Sequence, residues 1–349
     1  MSVTIKNIAK EAGVSPGTVS KALNNRGGVR LPLKRKIEKI ARRMSYSPYI
    51  KARQSGMYDS ATKYIGIIYA YAGEQLVRDI QNGIDGVLRD LGFYELRYNV
   101  NIVGDLYNEE RKKEFIDKIL QDKSIVGLLS VFLKISDANI AGLQKNGIPV
   151  VLLNNYSDCG KCVLTDNVEA GFQVTKMLIG LGRKKIGLIM PEETSEVIWQ
   201  ERLAGYKKAL SEANIAYDPY LLVYEHSFSL KESAQATKVL LEKEPGVDAI
   251  IYGSDVQAYG GMEALKEMGR KIPDDIAVIG FDDMTFSGIT DPPLSSVKQP
   301  MFEMGRLAAH LLVDAIKNKD FSHQVVELKS KIIKRRSTHK EIAREKFLK

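Results

Sequence analysis

Cysteine is nearly absent from this 349-residue chain, which has two, together with four histidines and one tryptophan. So few cysteines exclude a disulfide framework and fit a reducing compartment. Both fall in Cys159-Gly160-Lys161-Cys162, a redox or half-metal-site spacing, but a structural metal needs further ligands and the histidines show no H-x-x-x-H pattern. No apolar run is long enough to span a bilayer, and the first residues lack the basic-then-apolar pattern of a signal peptide. The expectation is a cytoplasmic protein with no membrane partner. Also missing are a glycine-rich phosphate loop and a nucleophile with an adjacent base. Asp282-Asp283 is the nearest thing to an acid–base dyad, but adjacent residues on a loop point apart, and Gly260-Gly261 fits helix packing as well as a ligand loop. These absences lead us to expect a non-enzyme without cofactor or metal.

What is present is charge, unevenly placed. The formal net charge is +8, yet residues 1–62 carry 13 Lys and Arg against 3 Asp and Glu, residues 329–349 carry 9 against 2, and the stretch between them is net acidic. A basic head joined to an acidic body is the pattern of a polyanion-binding module on a core that does not bind DNA. The basic tail reads better as a solvated surface. At this length the chain should form more than one domain.

The head has a specific pattern. Ile5, Ile8, Ala9 and Ala12 recur at the spacing of one helical face, with Thr4 placed to cap it. Gly13 offers the positive φ of a sharp turn, and Ser15-Pro16 restarts a helix with proline where no amide hydrogen is missed. In that second helix Val19, Ala22 and Leu23 face inward, leaving Thr18, Ser20, Lys21 and Asn24 to meet phosphates and base edges. A third helix is expected from about Leu33 to Met44, with Ile37, Ile40 and Ala41 inward. Two helices around a tight turn, closed by a third, make a helix-turn-helix.

These residues resemble the headpiece of the LacI/GalR family of bacterial transcription regulators, whose first helix begins with a TIKDVA-like run and whose second reads VS-x-x-TVS. Here those runs are Thr4 to Ala9 and Val14 to Ser20. The resemblance implies DNA contacts at Thr4, Ser15, Pro16, Gly17, Thr18, Ser20, Lys21 and Asn24, with Arg30 reaching a phosphate. Tyr46, where the third helix ends, is a further DNA contact, and in the family's hinge, a segment that orders on DNA and wedges a leucine into the minor groove, Ala52 and Arg53 fit the A-R pair. Ser55 stands where the leucine is usual, and Met57 is the nearest apolar substitute.

From Tyr64 onward, apolar runs alternate with amphipathic helices. Ile65 to Tyr69, Ile125 to Phe132, Pro149 to Leu153, Lys185 to Met190, Asp248 to Tyr252 and Ile276 to Gly280 read as buried parallel strands. Two such α/β units, with breaks near Thr165 to Gly171 and Thr290 to Pro300, resemble the two-lobed periplasmic-binding-protein-like core of the same family. The fold expected is therefore α/β, an N-terminal three-helix headpiece plus a two-lobed core with parallel sheets. We expect a headpiece at 1–47, a hinge at 48–63, a core at 64–338 and a basic tail at 339–349. Within the core, lobe 1 takes about 64–166 and 299–326, and lobe 2 about 167–298 and 327–338.

Ligands of open parallel sheets bind beyond the carboxyl ends of the strands, which makes Tyr71, Gln75, Asn154, Asn155, Ser254, Asp255, Asp282 and Asp283 candidates. The family resemblance narrows the choice. Glu201-Arg202-Leu203-Ala204-Gly205-Tyr206 is similar to R-L-x-G-[FWY], whose arginine faces the effector. Gly280-Phe281-Asp282-Asp283 is similar to G-[FY]-D-D, and Ser296-Val297-Lys298-Gln299 to the stretch ending in a glutamine at the crossover. Phe228 falls where a ring stacks on the ligand, and Ser254-Asp255 matches the N-D or S-D pair. The implied effector residues are Tyr71, Gln75, Arg202, Phe228, Asp255, Asp282 and Gln299. Ala72-Gly73-Glu74-Gln75-Leu76 departs from the family's N-P-F-F, which leaves the ligand class open. The likeness runs to Arg335-Arg336-Ser337-Thr338, and no leucine heptad follows, so a homodimer on an operator in double-stranded DNA, controlled by a sugar-like small molecule, is the expectation. A solute-binding protein or enzyme on the same body, and a nucleoid-type protein without sequence specificity, are the alternatives.

Overall fold

A computed structural model of the chain describes residues 5–23, 29, 31–43, 64–69, 74–99, 116–119, 122, 124–191, 197–225 and 229–339. The chain divides into two compact units, residues 1–62 and 63–349.

In the first unit, α1 (Ile5–Ala12), α2 (Pro16–Leu23) and α3 (Leu31–Arg43) enclose a core of Ile8, Ala9, Ala12, Val19, Ala22, Ile37, Ile40 and Ala41. The turn between α1 and α2 rests on Gly13 at φ 73°, and the Val14 amide donates to the Ala9 carbonyl at 3.0 Å. Lys36 of α3 donates to the Ala12 carbonyl at 3.2 Å, a cation on the last, otherwise unpaired carbonyls of α1. The third helix begins two residues earlier than its apolar spacing predicts. Pro32 is compatible with a first turn, where a missing amide hydrogen costs nothing, so it opens this helix instead of preceding it. Met44, the expected end, lies outside the described residues.

The second unit holds two six-stranded sheets. The first is ordered β11-β5-β4-β3-β1-β2, from β1 (Tyr64–Tyr69), β2 (Tyr94–Asn99), β3 (Ile125–Val131), β4 (Val150–Leu153), β5 (Lys161–Thr165) and β11 (Gln324–Leu328). The second is ordered β12-β10-β9-β8-β6-β7, from β6 (Ile186–Pro191), β7 (Leu222–Glu225), β8 (Ala249–Tyr252), β9 (Ala277–Phe281), β10 (Ser295–Lys298) and β12 (Lys331–Ile333). All ladders are parallel except β10 with β12. Helices α4 (Glu74–Asp90), α5 (Asp137–Lys145) and α10 (Met301–Asn318) cover the first sheet. Helices α6 (Asn167–Gly180), α7 (Val197–Glu212), α8 (Leu230–Lys243) and α9 (Asp255–Glu267) cover the second. Each sheet is thus buried on both faces.

The six central strands stand where the apolar runs place them, within a residue or two. The other six, β2, β5, β7, β10, β11 and β12, are too short or too interrupted by polar residues to read as buried strands. One boundary shifts as a result. The break expected over Thr290 to Pro300 contains β10, and the crossing back to the first lobe follows that strand at Gln299-Pro300, beside the expected boundary at 298/299. The last crossing follows Leu328, because β11 pairs with β5 through that residue.

Candidate functional site

In the headpiece, Ser15 caps α2. Its Oγ accepts from the Thr18 amide at 3.2 Å and shares a hydrogen bond with the Thr18 hydroxyl at 2.9 Å. These two hydroxyls, both expected at DNA, already serve the start of the helix. Pro16 and Gly17 are exposed but present only a ring and bare backbone. Ser20 is half-buried, and Lys21, the sole cation of α2, is exposed in its last turn. Thr4, Asn24, Arg30, Tyr46, Ala52, Arg53 and Met57 lie outside the described residues, as do Tyr71 and Phe228 in the core.

The core candidates converge at the carboxyl end of the second sheet. Beyond β9, Asp282 and Asp283 take φ values of 103° and 51°, left-handed conformations that cost a non-glycine residue on the order of 1 kcal/mol or more each. A hydrogen-bond network holds them there. The Asp283 carboxylate accepts from Arg335 Nη2 at 2.7 Å and faces Lys298 Nζ at 3.6 Å, and its amide donates to Ser296 Oγ at 2.9 Å. Arg335 also donates to the Leu294 carbonyl, and Ser337 Oγ donates to the Val278 carbonyl at 2.6 Å, so the Arg335–Thr338 segment fastens β9, β10 and the turn together. Asp282 points elsewhere. Its Oδ1 accepts from Gln299 Nε2 at 2.7 Å, and burial raises its pKa while the Arg202 charge pulls it back.

Arg202 is buried in the second turn of α7. Its Nε donates to Asn167 Oδ1 at 3.0 Å and its Nη1 to the Gly253 carbonyl at 2.9 Å, while the guanidinium carbon sits 4.0 Å from the Phe281 ring centroid and 4.9 Å from that of Trp199. Burial lowers its pKa to about 10, opposed by Asp282 and Glu201, so it stays a cation at neutral pH. Among the described residues Arg202 and Asp282 form no ion pair. Each keeps one terminal atom, Nη2 and Oδ2, without a hydrogen bond to a described residue. A small crevice behind the guanidinium, lined by Thr175, Leu188, Met190, Trp199, Ile251 and Phe281, belongs to the lobe's apolar interior.

Two expected effector residues do other work in this conformation. Asp255 is fully buried, and both its oxygens are taken. Oδ1 accepts from Ser296 Oγ at 2.6 Å, and Oδ2 accepts from the Met284 amide at 2.8 Å and from Ser287 Oγ at 2.5 Å. Gly280 is what lets this carboxylate approach, since a Cβ there would overlap Asp255 Oδ1. Asp255 is thus a clamp on the turn after β9; burial, then repulsion from Asp282, pushes its pKa up to about 7. Gln75, near the start of α4 in the first lobe, reaches the second. Its Oε1 accepts from both the amide and the hydroxyl of Thr285 at 2.8 Å, and its Nε2 lies 3.5 Å from the Asp283 carbonyl. It ties the lobes together with the same atoms a ligand would need.

The structure adds residues that the sequence reading missed. Asn167, first residue of α6, orients Arg202 and also donates to Glu201 Oε2 at 3.3 Å. It stands two residues after the end of β5, so finding that strand would have pointed to it. Trp199 and Phe281 flank the guanidinium; the first is the chain's one tryptophan, and the second lies inside the motif already quoted. Away from this end of the sheet, Cys159 and Cys162 are free thiols whose pKa values burial raises, that of Cys162 to about 11, which keeps them protonated and unreactive. Among the described residues no group of His, Cys, Asp or Glu could hold a metal, and no helix is long and apolar enough to cross a membrane.

Comparison with known proteins finds the same two parts. Residues 4–49 match the bacterial regulatory proteins of the lacI family, and residues 175–338 match a periplasmic binding protein-like domain. The transcriptional repressor CytR of Escherichia coli K12 is 32% identical over 321 residues, 90% of each chain. The transcriptional regulator RegA of Clostridium saccharobutylicum is 29% identical over 340 residues, 97% of this chain and all of that one. Among solved structures, the transcriptional regulator CelR in complex with cellobiose superposes with a TM-score of 0.70 at 26% identity, covering 96% of this chain and 99% of the other.

Proposed function

Because the chain belongs to the LacI family of bacterial regulatory proteins, we propose that it is a sequence-specific repressor of transcription that grips a pseudo-palindromic operator as a homodimer and answers to a small-molecule effector, a sugar or sugar derivative. The observation that carries this reading is Arg202 with Asp282, a spare donor and a spare acceptor held at one strand end, in a chain whose other unit is a helix-turn-helix. A polyhydroxyl ligand can use both atoms at once, and a donor and an acceptor that are not hydrogen-bonded to each other suit hydroxyls on neighbouring ring carbons. The relative solved with cellobiose supports a carbohydrate.

In this reading Lys21 reads a guanine edge, since Pro16 and Gly17 leave the start of α2 without side-chain donors. Thr4, Asn24, Arg30 and Tyr46 serve the phosphates, and Ala52, Arg53 and Met57 form the hinge that enters the minor groove. Effector binding competes with the Gln75–Thr285 tie and so shifts the balance of lobe arrangements that let two hinges order side by side. A coupling of about 1–3 kcal/mol between the sites is enough for a several-fold change in operator affinity.

Fluorescence anisotropy on an operator selected from a random DNA pool tests the reading. Full-length protein should select a two-fold-related sequence, and sugars should change its affinity. Lys21→Ala should cost about 1–3 kcal/mol on the selected site and much less on random DNA. Equal loss on both, or failure to select any sequence, would sink sequence-specific repression.

A further inference from the structure

A second polar pair, used by none of these roles, stands at the end of β6. In the sheet β6 lies between β7 and β8, and the side chains of Glu225, the last residue of β7, and Gln257, in the first turn of α9 after β8, meet across it. Gln257 Nε2 donates to Glu225 Oε1 at 2.5 Å. Glu225 is 3% exposed and Gln257 not at all, yet among the described residues Glu225 Oε2 and Gln257 Oε1 have no hydrogen-bond partner. Leaving a buried acceptor unpaired is costly, and for a carboxylate oxygen more so. The mutual hydrogen bond of Glu225 and Gln257 accounts for one atom of each and leaves an oxygen of each without a described donor. Burial raises the Glu225 pKa, opposed by the Gln257 amide and by the nearby Ser233 hydroxyl, whose own hydrogen goes to the Ser229 carbonyl at 2.9 Å.

The orphan atoms adjoin Arg202. A Cβ built on Gly253 would stand 2.8 Å from Gln257 Oε1 and 3.1 Å from the Trp199 ring, while the Gly253 carbonyl itself accepts from Arg202. Glu225, Gln257, Trp199 and Arg202 therefore share one end of one sheet, where ligands of parallel sheets bind. Arg202 donates and Asp282 accepts, so neutral hydroxyls can satisfy that side. The Glu225–Gln257 side has only acceptors left. A hydroxyl brings one hydrogen to them, whereas an ammonium brings three and offsets the carboxylate's charge.

We propose that Glu225 and Gln257 form an amine-binding subsite of the effector cleft, and that the effector is an amino sugar. This rests on the cleft reading above and narrows its ligand. Calorimetry on the full-length chain near neutral pH, with D-glucosamine and D-galactosamine set against D-glucose and D-galactose, tests it. Each amino sugar should bind about tenfold or more tighter than its parent. Glu225→Gln, which keeps the shape and removes the charge, should reduce that ratio to about twofold, and Gln257→Met, which fills a similar volume, should reduce it in part. Thermal unfolding of both variants checks that they fold. Amino sugars binding no tighter than their parents, no binding by any of the four, or a ratio that survives Glu225→Gln would overturn the subsite. Asp282→Asn separates the two readings. If it abolishes binding of every sugar while wild type shows no amine preference, only the subsite falls; if amino sugars bind it as well as wild type, the cleft reading falls too.

Discussion

A guanidinium as buried as that of Arg202 stays a cation because its surroundings replace water: two rings, an asparagine oxygen, a backbone carbonyl and the nearby charges of Asp282 and Glu201. Arg202→Ala therefore tests two things at once. It should cost about 2–4 kcal/mol of stability, since Asn167 and Gly253 lose a donor and a cavity opens, as well as ligand binding. Asp282→Asn is cleaner: it can still accept from Gln299, so its melting temperature should stay near wild type while calorimetry shows about 2 kcal/mol or more of ligand affinity lost. Asp255 gives a pH signature. Its folded pKa of about 7 lies above the value for an unfolded aspartate, so the folded state holds a proton that the unfolded chain releases. Its contribution to stability is full below the unfolded pKa and is lost as pH rises through about 7. Denaturant unfolding should show the wild-type advantage over Asp255→Asn growing by about 2 kcal/mol as pH falls from 7 to 5. A constant difference would mean that Asp255 stays ionised in the folded state.

Among the elements, the helix pairs that flank the sheets cross on glycines. A Cβ on Gly171 would overlap the Arg202 carbonyl, and one on Gly205 the Val168 carbonyl; Gly83 and Gly305 repeat the arrangement between α4 and α10. In the Arg202-to-Tyr206 motif the glycine is thus what brings α7 close enough to α6 for Arg202 to reach Asn167. Gly205→Ala forces the two backbones apart, and calorimetric unfolding should show about 1–3 kcal/mol or more of destabilisation. A smaller loss in Gly86→Ala, where a Cβ meets open space, is the control. Strand β10 makes a related point about legibility. Its Ser295 and Ser296 are fully buried yet polar, satisfied by Arg335, Ser337 and Thr338 from forty or more residues away and by Asp255. Hydropathy along the chain reads such a strand as a loop because its partners are distant in sequence.

For the whole molecule, the basic excess of residues 1–62 and the net acidity of most of the second unit predict a division of labour. Protein lacking residues 1–62 should lose DNA binding and keep a cooperative thermal transition. The intact chain should lose affinity with salt, with a slope of log affinity on log salt near about −0.9 for each phosphate neutralised. DNA retained by the shortened protein would place the polyanion site on the core.

The sequence by itself determined the helix-turn-helix, the six central strands, the family and the motifs around Arg202 and Asp282. These are local or periodic signals: a cap, a turn glycine, an apolar face and an unbroken run of β-branched residues declare themselves over a few positions. Only the tertiary structure decided which of the named polar residues remain free. Asp255 is used up by Ser287, Ser296 and the Met284 amide, Gln75 by Thr285, and Arg202 in part by Asn167, while Glu225 and Gln257, marked by no motif, keep acceptors unpaired. Whether a buried donor or acceptor is already satisfied depends on partners brought by folding from tens or hundreds of residues away, and no pattern along the chain records that pairing.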